Sequence, residues 1–442
     1  MNNDNDNNKD FIDMRKDGEQ GHIPPEQMNP SGGTGSPEPP KSKGRRFPGW
    51  AIALIFLGLG LVIGISGFNI SFNIPFVGGT GTARQATDRD LTSLTIPAST
   101  INNIDVRIGI DNLVVNTHNG RDVRVVYNAP RNGNYIRPLY NFNERTGDLE
   151  IFTETNIVIG ISNIRSGELR IYLPETRVRL LDNLSLRTST GRINVNMMST
   201  GFQVATNANI SSTTGNIEVT RLNVVNAEVR ATTGRINLNS METDNNLTIA
   251  STTGNINGDN LEAGNNLSVS ASTGRINLNH VVASGNAEIR STTGNITLDS
   301  RSQQSFGDVS ISATTGRINA DNFRARHINI RSTTGNININ DVAANGDFTA
   351  SASTGRIEAR NLDVGEELQF STTTGNITFN GGTVASNASF TASTGRVNIS
   401  NGSIEGDLSI RTTTGNVNLT RVDTDMNRAD INTNRTANVT IN

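Results

Sequence analysis

Apolar and polar positions alternate along most of the chain, and the alternation restarts at fixed intervals. Take Leu267 to Val281 (LSVSASTGRINLNHV): Leu267, Val269, Ile276, Leu278 and Val281 are apolar, and Ser268, Ser270 and Asn277 between them are polar. With slots counted from Gly274, the apolar residues fall at −7, −5, +2, +4 and +7, and slot −3 is always Ala, Ser or Thr in the regular copies. Strict alternation over five or six residues predicts a strand with one buried face. The phase breaks between −3 and +2, so the chain turns at Thr-Thr-Gly-Asn or Ser-Thr-Gly-Arg. Glycine there predicts a corner with positive φ. A second, looser turn follows +7 and often contains Gly or Asn, as in Ser284-Gly285-Asn286.

The corner glycine recurs at Gly191, Gly215, Gly234, Gly254, Gly274, Gly294, Gly316, Gly335, Gly355, Gly375, Gly395 and Gly415, mostly 20 residues apart. Weaker copies stand at Gly147 and Gly167, and one near the end has Ala437 in the glycine slot. A fixed period of this length marks a repeat array with atypical end copies. Two strands and two turns per repeat predict an all-β fold, a parallel β-solenoid with ~20-residue rungs stacked about 4.8 Å apart. The domain spans residues 94–442, with regular rungs over about 181–425. The longer intervals, 24 residues from Gly191 to Gly215 and 22 from Gly294 to Gly316, place insertions away from the glycine corner, one of them at Arg301 to Ser305.

Slot +1 alternates strictly: Arg192, Asn216, Arg235, Asn255, Arg275, Asn295, Arg317, Asn336, Arg356, Asn376, Arg396, Asn416. Slot −3 follows it after the first copy, with Ala before the Arg type and Ser or Thr before the Asn type. The duplicated unit is therefore 40 residues, and two geometries compete. A 20-residue rung spaces the arginines two rungs apart, about 9.6 Å; a 40-residue rung stacks them at about 4.8 Å, where like charges repel. The six arginines form a candidate row for a repeating anion, such as a cell-wall polymer or acidic glycan. The competing reading is a solvated edge. The Thr or Ser pair at −2 and −1 also suggests the threonine arrays of ice-binding solenoids, but hydroxyls in a turn commonly bond nearby backbone.

The N-terminal region reads differently. Residues 1–46 hold eight acidic and seven basic residues and few apolar ones, which predicts a disordered tail. Residues 47–68 carry no charge. As a helix they would be about 33 Å long, enough to cross a bilayer core of about 30 Å. Basic residues Lys41 to Arg46 precede the span and the next one is Arg84, so the N-terminus is expected in the cytoplasm and the solenoid outside, in a single-pass arrangement. Residues 69–93 read as a linker.

Serial T-[ST]-G turns behind one membrane helix resemble the bacterial "putative adhesin" family of membrane-anchored β-solenoid domains of unknown function. The resemblance covers residues 94–442, from Ile104-Asp105-Val106-Arg107-Ile108 onward. It implies adhesion and no catalytic residues. This chain has Asn or Arg where the family usually has an acidic residue after the glycine.

Composition narrows the chemistry. The chain has no cysteine, which removes disulfides and thiolate metal sites. A net charge of −3 gives no field for nucleic acid. The carboxylates Glu218, Asp259, Glu288, Asp299, Asp321 and Glu358 look scattered, and His22, His118, His280 and His327 lie far apart. No phosphate loop, calcium-binding nonapeptide or nucleophile–base arrangement is present. The expectation is a protein without enzymatic activity, cofactor or metal, partnered by the bilayer through residues 47–68 and by a cell-wall polymer, glycan or surface protein. An envelope-sensing or scaffolding role, coupling the solenoid to a cytoplasmic partner, is the alternative.

Overall fold

A computed structural model describes residues 89–154, 164–175, 181–197, 203–301, 304–434 and 438–442. They all belong to the unit spanning Asn69–Asn442. The predicted tail, the apolar span 47–68 and most of the linker lie outside the described residues, as does Ala437. Among the described residues no helix is long and apolar enough to cross a membrane.

The strand register decides the rung. Ile256 pairs in parallel with Ile276, and Ile276 with Ile296. On the other ladder Leu267 pairs with Ala287 and Thr273 with Thr293. Each slot therefore meets its copy one repeat later, and one rung is 20 residues. The result is an all-β parallel solenoid of about 13 turns. Backbone N–H groups of each rung donate to carbonyls of a neighbouring rung, as Ile276 does to Asn295 at 3.0 Å, so the polar backbone is satisfied inside the array. The apolar slots fill the coil's centre: Ile276, Leu278, Val281, Val269 and Ile289 are essentially inaccessible. Each such side chain contributes about 1.5–3 kcal/mol by leaving water.

The rung has three corners, not two. A residue in the left-handed region, at φ 50 to 56°, recurs at +6: Arg221, Ser240, Asn260, His280, Asn322, Asp341, Asn361, Asn401 and Arg421. It lies within strands such as Ile256–Ala263, whose pairing skips it, and turns the burial phase there. Leu261 and Ala263 beyond it are buried again, at slots +7 and +9. The mark in the sequence is the gap between apolar slots +4 and +7, three residues where a straight strand needs two. In the longer Gly294 rung Ser300 is the extra residue. It is buried and donates to the Val281 carbonyl at 2.6 Å, and Arg301 takes the left-handed slot at φ 51°.

The glycine corner has the expected positive φ in most rungs, and a second cause besides it. At Gly274 φ is 149°, so positive φ is present, but a Cβ there would also lie 2.0 Å from the Gly254 carbonyl oxygen. At Gly191, where no positive φ occurs, a Cβ would lie 1.7 Å from the Asp111 oxygen. Glycine is required on both counts, and at Gly191 by the preceding rung's backbone alone, which stacks directly on the corner.

The N-terminal part of the coil includes Leu91, which is fully buried. Its N-terminal end is closed by antiparallel strands: Arg89–Asp90 on Leu139–Asn143, and Ser93–Pro97 on Asp122–Asn128. The weak copies after Gly147 and Gly167 supply Asp148–Phe152 and Glu168–Pro174 of this cap. The cap's buried acid, Asp111, accepts from the Gly167 N–H at 2.5 Å and the Tyr127 hydroxyl at 3.4 Å. Burial pushes the Asp111 carboxyl up, and these two hydrogen bonds oppose the shift. At the other end Val439–Ile441 pairs on Val417–Thr420.

Candidate functional site

Both alternations have a structural half. The Asn at +1 turns its amide oxygen to the backbone N–H of the Arg-type residue in the next rung. Arg235, Arg275, Arg317, Arg356 and Arg396 donate to Asn216, Asn255, Asn295, Asn336 and Asn376 at 2.9 to 3.1 Å. Arg192 finds the same acceptor in Asn112 of the cap, at 3.0 Å. The −3 hydroxyl of the Asn-type rung faces the other way. Ser291, Ser332, Thr372 and Thr412 donate to the glycine carbonyls of the preceding Arg-type rungs, Gly274, Gly316, Gly355 and Gly395, at 2.9 to 3.4 Å. An Asn-type rung thus bonds the Arg-type rungs on both sides of it, and the Arg-type rung needs only Ala at −3. This is a physical reason for a 40-residue duplication on a 20-residue coil.

That leaves the arginine side chains. Arg192, Arg235, Arg275, Arg317, Arg356 and Arg396 are exposed in one column. With the rung fixed at 20 residues they stand two rungs apart, about 9.6 Å. Arg356 reaches Glu358 at 3.5 Å, and the other five guanidinium groups have no ion pair among the described residues. Slot −4 behaves differently, since Arg230 and Arg290 each hold a carboxylate of their own strand, Glu228 and Glu288. The hydroxyls at −2 and −1 do not tie the turn as expected. They are exposed. Thr414 and Thr394 are the exceptions among the described copies: Thr414 reaches the Ser393 carbonyl and the Thr394 hydroxyl, both at 3.4 Å.

A trough runs parallel to the coil axis beside the glycine corner, from Ser251 to Ser393, with a volume of about 720 Å³. Slots −4, −3 and −2 line it with Ser, Thr and Ala, interrupted by Arg290 and Arg331. Nothing in the sequence pattern pointed to this trough, because both exposed slots hold residues that also suit plain strands.

The carboxylates are less scattered than the sequence suggested. Asp259, Asp299 and Asp321 share slot +5, and Asp299 pairs in register with Asp321. Burial pushes the Asp321 carboxyl up; Asn340 lowers it by donating at 2.5 Å, while Asp299 and Asp341 raise it further. A shallow depression of about 420 Å³ holds Glu242, Glu262 and His280. Asn223 donates to Glu242 at 3.1 Å and His280 sits 3.0 Å from Asp259, so these groups bond across rungs. Glu218, Glu288 and Glu358 lie on other slots. His118 bonds within the cap, its Nε2 2.7 Å from the Asp122 carbonyl. His22 lies outside the described residues.

One group offers metal-ligand atoms. His327, Asp347 and Glu366 bring one such atom each within 4.8 Å of the others. The slot explains two of the three. His327 Nδ1 accepts the Asp347 N–H at 3.1 Å, and Asp347 accepts the Glu367 N–H at 3.1 Å. Asn246, Asn266 and Asn286 do the same for the next rung in that column. The histidine is an acceptor in a ladder, and its Nδ1 lone pair is committed.

Among solved structures the chain resembles a "putative adhesin" from Bacteroides fragilis, 12% identical, covering 66% of this chain and 97% of that one, with a TM-score of 0.22. It also resembles a "putative lipid binding protein" from Parabacteroides distasonis, 13% identical, covering 79% and 98%, with a TM-score of 0.21. Likeness at this level says nothing of function. No curated protein matches the sequence. The Toastrack DUF4097 family matches residues 101–307, 262–380 and 343–439, which together take in the cap and the regular rungs. The chain belongs to the Toastrack DUF4097 family.

Proposed function

We propose that this protein is a non-catalytic rod that binds an extended, repeating anion of the cell envelope through the column Arg192, Arg235, Arg275, Arg317, Arg356 and Arg396. The reading rests on the contrast between the two residue types of slot +1. The Asn side chain is spent on backbone bonds, whereas five of the six arginine side chains spend nothing on the fold. A guanidinium offers five donors in a planar fork suited to carboxylate or phosphate. Six of them at a spacing of about 9.6 Å favour a linear polymer over a single small anion. Aromatic side chains are scarce, at 5% of the chain, which disfavours stacking on nucleobases. In this reading residues 47–68 anchor the rod in the membrane with the column on the outside.

The test is retention on isolated cell walls. Changing all six column arginines to Gln should abolish salt-sensitive retention and leave the unfolding temperature within the scatter of the parent. Unchanged retention would sink the proposal.

A further inference from the structure

The trough beside the glycine corner is a second surface, lined by none of the six column arginines. We propose that it binds a chain of acidic sugars lying along the coil axis.

Four observations point there. First, the trough is polar and unsatisfied. The hydroxyls of Ser270, Ser312, Ser351 and Ser371 at slot −4 face it without a hydrogen bond to any described residue. A hydroxyl both donates and accepts, as does each hydroxyl of a sugar. Second, Ser251 lines the same trough and is 5% exposed, yet its Oγ has no hydrogen-bond partner. Ser291 and Ser332 in the equivalent slot donate to glycine carbonyls at 3.4 Å. A buried hydroxyl without a partner is unfavourable, and in this proposal a rotation of the Ser251 side chain brings it to a ligand hydroxyl in the trough. Third, Arg290 and Arg331 stand in the trough two rungs apart, in register through Ser312. Arg331 donates its Nε–H to Asn329 at 3.1 Å and keeps its terminal N–H groups, so it is the anchor for a carboxylate. Arg290 is held by Glu288 and exchanges that partner for the ligand's. Fourth, other linear ligands fit worse. No aromatic side chain lines the trough, so bases have nothing to stack on. No free strand edge opens into it, because each rung's edges are taken by its neighbours, so a peptide cannot add as a strand.

Calorimetry with the purified protein decides. The probes are an oligogalacturonate and a neutral dextran oligosaccharide of equal length. Oligogalacturonate is expected to bind, and dextran to bind more weakly. Arg331→Gln should weaken the oligogalacturonate about tenfold, the loss of one charge-assisted hydrogen bond. Ser312→Leu with Ser351→Leu fills the trough from two outward-facing positions and should abolish binding. Arg324→Gln, at an exposed arginine outside both the trough and the column, should bind as the parent does. Full affinity in the Leu variant, no binding of oligogalacturonate, or equal binding of dextran would each overturn the proposal. If binding is lost in the six-arginine column variant and kept in Arg331→Gln, the ligand sits on the column and not in the trough. Should the Leu variant fail to fold, Arg331→Gln is sufficient: weakened binding supports the trough, and parental affinity overturns it.

Discussion

Each rung turns at a glycine corner and again at slot +6, and the two corners tolerate very different residues. The glycine corner holds Gly in all twelve regular copies. Slot +6 holds Arg, Ser, Asn, His and Asp at nearly the same φ of 50 to 56°. Both need unusual backbone. The difference lies in what stands above and below. At the glycine corner the neighbouring rung's carbonyl occupies the place of a Cβ, as at Gly294, where a Cβ would lie 1.9 Å from the Gly274 oxygen. At +6 the side chain points into solvent or across to a neighbour, as His280 does to Asp259. Strain in φ alone costs about 1–2 kcal/mol and can be carried; a backbone collision repeated along a stack cannot.

The largest expected effect comes from breaking the first corner. Gly274→Ala must push two rungs apart and should cost about 3–5 kcal/mol, measured by denaturant unfolding. Asn255→Ala removes the acceptor for the Arg275 N–H and should cost about 1 kcal/mol, with faster hydrogen exchange at that amide. The second corner should respond with the opposite sign. Arg221→Gly relieves a left-handed non-glycine residue and should stabilise by about 0.5–1 kcal/mol in the same assay. A smaller effect is expected at Asp321, whose carboxyl is pushed up by burial. A raised folded-state value means the native protein binds the extra proton, so this group's contribution falls as pH rises above the ordinary carboxylate value near 3.9. Asp321→Asn should therefore flatten the loss of stability that sets in as pH rises above about 4.

The glycine corner was legible in the sequence because its residue type is fixed, and so were the buried slots −7, −5, +2, +4 and +7. The second corner was hidden by its tolerance: Arg221 and Ser240 carry no turn signal, and its marks were the Asn or Asp of other copies, such as Asn260 and Asp341, and the odd gap from +4 to +7. The Arg/Asn alternation was plain as a pattern but not as a mechanism. The amide of Asn255 bonds a residue 20 positions away, and that contact exists only once the rung length is known. The threonines misled, because the hydroxyl that ties the corner is at −3, as in Thr372 to Gly355, and not in the more regular −2 and −1 pair.

Slot +1 divides its work, Asn for the coil and Arg for the ligand. Two variants measured side by side test that division: Gln at all six column arginines, and Ala at Asn216, Asn255, Asn295, Asn336 and Asn376. Each is assayed for unfolding temperature and for retention on isolated walls at low salt. The prediction is a crossing, with the arginine variant stable but unretained and the asparagine variant retained but melting earlier. An arginine variant that is retained like the parent, or an asparagine variant of unchanged stability, would show that the slot is not divided in this way.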